Sequence, residues 1–101
     1  MVRHVVLCKF HASVPEKQRR NVIDAVHALG RSIPEVREWS VGTQAIPSST
    51  AYDLAIVSGF DDMEALERYR KHPDHIGTKA LLAEIADMAV VDYEYSSEQQ
   101  G

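Results

Sequence analysis

Three stretches of this chain, "RHVVLCKF" (residues 3–10), "YDLAIVSGF" (52–60) and "MAVVDYEY" (88–95), are too apolar to be strands with only one buried side. Side chains alternate across a strand, so a sheet with one wet face shows a polar residue at every second position. Here His4, Val6, Cys8 and Phe10 share one side while Val5 and Leu7 share the other. Leu54 and Ile56 oppose Ala55 and Val57, and Met88 and Val90 oppose Ala89, Val91 and Tyr93. Both faces of the sheet need a cover, and a chain of 101 residues has the size of a single domain.

The helical signals suffice for one face only. Ser13 and Glu16 have capping-box spacing, Pro15 suits a first turn, and Val22, Ile23, Val26 and Leu29 repeat at helical period until Gly30, which is expected to end the helix. Asp61 and Glu64 form a second capping pair ahead of "DMEALERYRK", and Pro73 splits the helical pattern that runs from there to Ala86 into two segments. "EVREWSVGTQ" and "YDLAIVSGF" read as a hairpin with a long loop over "IPSSTA". The order strand, helix, strand, strand, helix, strand predicts an α+β fold: a ferredoxin-like split βαβ, four antiparallel strands with the helices on one face. One domain is expected over residues 1–95, with 96–101 as a disordered tail. The uncovered apolar face predicts a homodimer in which two sheets meet as a closed α/β barrel.

Charge and motifs narrow the function classes. A net charge of −4, with no basic run longer than "KQRR", argues against nucleic-acid or anionic-membrane partners. The four-residue apolar run before Lys9 is too short for a leader or a membrane span, and a cytoplasmic location is expected. The single cysteine, Cys8, reads as a small buried hydrophobe. Phosphate-loop, dinucleotide-fingerprint, paired-cysteine and serine-nucleophile motifs are all missing, so no cofactor is expected.

Chemistry concentrates in "YRKHPDHIGTKALL" (69–82). Pro73 disfavours helical geometry at His72 and suits a helix's first turn, which places His72 at an N-cap and His75 just inside the new helix. The positive end of the helix dipole biases His75 toward the neutral form that acts as a base. Tyr69, one turn before His72, is placed to donate a phenolic hydrogen bond to a carbonyl or enolate, and His4 faces the same side as Val6 and Cys8. A metal at "HPDH" would need a third and fourth ligand, for which His4, His11 or Asp74 are the candidates without any ligand spacing to single them out, so no metal is expected. The competing reading is a packed helix junction whose histidines only organise the fold. His11 and His27 are expected to face solvent, Trp39 to serve core or interface, and Asp92 to be hydrogen-bonded at the sheet edge.

"RHVVLCKF", "YDLAIVSGFDDMEALERYRKHPDHIG" and "VVDYEY" together resemble the stress-responsive α/β-barrel domain family, Dabb, over nearly the whole chain. The most specific piece is an acidic, apolar helix followed by "Y..HP.H". The resemblance implies the ferredoxin-like fold and the face-to-face dimer. The family includes stress-induced proteins and a plant branch, olivetolic acid cyclase, that closes a linear polyketide by an aldol reaction without a cofactor. By that resemblance the working pair here is His75 and Tyr69, with His4 as a further pocket histidine. The expected ligand wall is His4, Val6, Cys8, Val22, Val26, Ile56 and Ser58. Val22, Ile23 and Val26 stand where the cyclases carry bulky aromatic groups, implying a different or smaller ligand. Two functions are therefore expected in competition: a small-molecule pocket with cyclase- or lyase-like acid–base chemistry, or a non-enzymatic stress-response protein whose assembly is its role.

Overall fold

A computed structural model describes residues 1–96 and contains seven elements: β1 (Val2–Phe10), α1 (Glu16–Ser32), β2 (Glu38–Thr43), β3 (Leu54–Phe60), α2 (Met63–Lys71), α3 (Pro73–Ile85) and β4 (Ala86–Glu94). The expected tail lies outside the described residues apart from Ser96. The strands form one antiparallel sheet in the order β2-β3-β1-β4, with the apolar strands β3 and β1 at its centre and the longest pairing between β1 and the edge strand β4. The molecule's shortest dimension, 18 Å, leaves room for one helical layer on one sheet.

Register fixes which residues share a face. His4 pairs with Ser58 and Asp92, Val6 with Ile56 and Val90, and Cys8 with Leu54 and Met88, and these rows lie beneath the helices. The rows of Val5 with Val57 and Val91, and of Leu7 with Ala55 and Ala89, point the opposite way. That second face is left open: Leu7, Val91 and Tyr93 are exposed, and Val5 and Val57 are half-buried.

Beneath the helices the core is divided. One cluster joins Val6, Cys8, Leu54 and Ile56 to Val22 and Val26 of α1 and to Leu82 and Ile85 of α3. The other joins Val2 and Phe60 to Leu29, Ile33, Leu66 and Tyr69. Trp39 of β2 packs against both.

Four local expectations are corrected. The Ser13–Glu16 capping box does not form: α1 starts at Glu16 with Pro15 at the cap and no side-chain hydrogen bond, and the chain before it is held by the Arg19 guanidinium, which donates to the carbonyls of Val14 and His11. Gly30 does not end α1, which continues to Ser32. It is a contact glycine, since a Cβ there would lie 2.2 Å from Trp39 Cγ. The cap of α2 is Asp62, whose carboxylate accepts from the Ala65 N–H at 2.8 Å, while Asp61 pairs with Arg37. β4 begins at Ala86, directly after α3 and two residues before the expected strand.

Candidate functional site

The junction of α2 and α3 is built around one residue. His72 closes α2, its N–H donating to the Tyr69 carbonyl at 3.1 Å, and opens α3, its Nδ1 accepting from the Asp74 N–H at 3.1 Å. Its extended backbone ahead of Pro73 is the geometry that proline imposes. Replacing the cap, His72→Ala, is expected to lower stability by about 1 kcal/mol, the usual scale of a lost N-cap. Thermal denaturation checks this, and a loss within error would mean that proline alone sets the junction.

The turn that His72 creates aims the next ring inward. His75 Nδ1 donates to the Arg70 carbonyl at 3.0 Å; a carbonyl only accepts, so the ring's proton is on Nδ1 and Nε2 keeps its lone pair. Burial holds the His75 pKa below the usual histidine value, with the nearby charges of His4, Lys79 and Arg70 adding to the effect against the opposing Arg70 hydrogen bond. The ring is therefore neutral at neutral pH. Tyr69 lies against it, ring centroids 4.5 Å apart, wedged also against Phe60 at 4.9 Å. Tyr69 is buried, and that burial pushes its hydroxyl far above the ordinary tyrosine range, so it stays protonated and can only donate or accept as a neutral phenol.

His4 approaches from the sheet, 6.1 Å from the Tyr69 ring. Its Nδ1 is engaged by the Asp92 carboxylate, whose other oxygen is held by the Arg70 guanidinium. Arg70 thus orients both histidines, His75 through its carbonyl and His4 through Asp92. Neither Arg70 nor this use of Asp92 was legible in advance, because the partners come from a helix and a strand 22 residues apart.

These groups converge on a cavity of about 640 Å³ between the sheet and the helices, in the gap that divides the core. Of the expected ligand wall, His4, Val6, Val26 and Ile56 line it, together with Tyr69 and His75. Cys8, Val22 and Ser58 do not. Cys8 and Val22 are consumed in the packed cluster beside the gap, and the buried Ser58 hydroxyl donates to the His4 carbonyl at 3.2 Å. Burial pushes the Cys8 thiol up to about 11, which leaves it unreactive. Trp39, Leu29, Leu82 and Met88 are among the other apolar lining residues, and Lys79 joins Arg70 as a charged one. His11 and His27 are exposed. Among the described residues no group of three or more His, Cys, Asp or Glu side chains is placed to hold a metal.

The family model described as "Stress responsive A/B Barrel Domain" matches residues 2–95. The chain belongs to this family, Dabb. An uncharacterized protein of Streptomyces coelicolor is 38% identical over 97 residues, spanning 94% of this chain and all of that protein. A dimeric protein of unknown function and ferredoxin-like fold from Bacteroides fragilis superposes with a TM-score of 0.78 at 31% identity, covering 93% of this Dabb chain and 95% of its own. The hydroxynitrile lyase of Passiflora edulis shares the fold, with a TM-score of 0.84, 21% identity and coverage of 95% and 94% of the two chains. No helix of the Dabb domain is long and apolar enough to cross a membrane, among the described residues.

Proposed function

We propose that this Dabb protein is a homodimer, joined through its open sheet face, that performs cofactor-free acid–base chemistry at the carbonyl of a small organic molecule held between sheet and helices. The observation that carries the reading is the pairing of a neutral, Nδ1-protonated His75 with the protonated Tyr69 hydroxyl on one wall of a mostly apolar cavity. His75 Nε2 takes a proton from the carbon beside the substrate carbonyl. The enolate oxygen that develops accepts a hydrogen bond from the Tyr69 hydroxyl, and the apolar wall keeps water from competing for it. The enolate carbon then forms a bond to a second carbonyl carbon of the same molecule, and the new alkoxide recovers the proton from the His75 imidazolium. No atoms are gained or lost, and run backward the same steps cleave the bond. The dimer is supported by the rows of Val5 and Leu7 on the uncovered face and by the dimeric relative of similar fold.

The test is deuterium exchange into the α-carbon of simple ketones, phenylacetone among them, followed by NMR. The protein should accelerate exchange over buffer, and His75→Ala should return it to the buffer rate. An unaccelerated wild type across a panel of aryl and alkyl ketones would remove the acid–base reading.

A further inference from the structure

The cavity wall is chemically lopsided. Its lining holds Arg70 and Lys79 and, among the described residues, no aspartate or glutamate. Arg70 already carries two carboxylate partners, Asp92 and Glu67. Lys79 has no carboxylate partner among the described residues, although the chain as a whole is acidic, at −4. It follows His75 by four residues on α3, so the two side chains rise from the same helical face about 5–6 Å apart at Cβ. Thr78, which also lines the cavity, adds a hydroxyl beside it.

Resting on the reading of this cavity as the ligand site, we propose that its substrate is an apolar keto acid whose carboxylate pairs with Lys79 while its carbonyl lies between Tyr69 and His75. The remainder of the wall, Val6, Val26, Leu29, Trp39, Ile56 and Leu82, suits an aryl or alkyl body. One uncommitted ammonium group matches a monoanion. A phosphate ester or diphosphate would call for more cations than the wall has free. The spacing along α3 places the carboxylate about one helical turn from the reacting carbon, a separation of a few bonds. A bound carboxylate would also give a charge-assisted partner to an ammonium otherwise left to water.

The probes are 4-phenylbutyrate and its amide, which share a shape and differ in charge, titrated at about pH 8, where an unperturbed imidazole is neutral and contributes no cation. The His75 ring signals in NMR report whether each probe enters the cavity. The carboxylate should bind about tenfold more tightly than the amide, the scale of one charge-assisted hydrogen bond. That preference should fall to within about twofold in Lys79→Gln and persist in Lys71→Gln, which removes an exposed charge outside the lining. Equal affinities with the His75 signals moving for both probes would overturn the keto-acid assignment while leaving the cavity as a ligand site. A preference that survives Lys79→Gln would overturn it as well. If neither probe moves the His75 signals, the ligand-site reading fails and takes this assignment with it.

Discussion

Leu7→Glu is expected to leave the protein monomeric or unfolded at micromolar concentration. Leu7 sits in mid-strand on β1, flanked in register by Ala55 and Ala89, with the Val5, Val57 and Val91 row next to it. In one chain alone Leu7 is 37% exposed on a face that is apolar across three strands. Two such faces in contact would bury a glutamate among alanine and valine side chains without a cation, at a cost of several kcal/mol per subunit. Leu81→Glu provides the contrast, because Leu81 is exposed on α3 in the opposite layer and its charge should leave assembly unchanged. Sedimentation of the wild type and both variants decides the matter: a monomeric wild type, or a dimeric Leu7→Glu, would mean that something else covers the sheet.

His75→Ala should lower any acid–base activity by about 10²- to 10⁴-fold, the usual worth of a positioned general base, with little effect on the melting temperature. Tyr69→Phe should keep the contacts with Phe60 and His75 and lose only the hydrogen bond to the developing oxyanion, a deficit of about 10²-fold or more. The sign of the pH dependence is set by the lowered His75 pKa. The base is neutral, and activity flat, at and above the ordinary histidine value near 6.5; protonation removes activity only as the pH falls below it. Stability has the same sense. The unfolded chain takes up the His75 proton at a higher pH than the folded one, so this residue's contribution is full above about pH 6.5 and declines as the pH falls toward the folded pKa. Exchange rates against pH, beside melts of the three proteins, provide the check. A profile that rises on acidification, or a His75→Ala variant that melts far below the wild type, would return these histidines to a purely structural role.

Strand positions were legible from their runs of β-branched and apolar residues, and the two-residue period told which side chains share a side of β1, β3 and β4; with both sides apolar, the pattern itself carried no signal for which side the helices cover. Caps were less legible. "DD" offers two candidates one residue apart, and only the start of α2 at Met63 selects Asp62. Gly30 carried a helix-stop signal that yielded to tertiary contact, because the Trp39 ring occupies the space where a side chain would stand. The histidine junction was readable from the proline, a purely local constraint, and the structure places both His72 and His75 as that constraint requires. Alternation tells which side of a sheet a residue faces and nothing of what lies above it. Cys8, Val22 and Ser58 therefore shared the candidate wall with Val6 and Ile56, although only the latter two lie under the gap. Arg70 and Lys79 carry no motif at all. The role of Arg70 depends on a strand and a helix meeting across the core.

The divided core leaves a cleft of about 640 Å³ that opens to solvent between two packed halves, with Trp39 touching each. A molecule seated there adds the dispersion contacts that the chain withholds from itself, so it acts as a detachable piece of the hydrophobic interior. Occupancy and stability then become a single variable: a ligand at a hundred times its dissociation constant contributes about 2.7 kcal/mol to the folded state. For a small domain that is a large share of the whole, so with a ligand of the proposed kind the lifetime of the folded protein would track the ligand's supply.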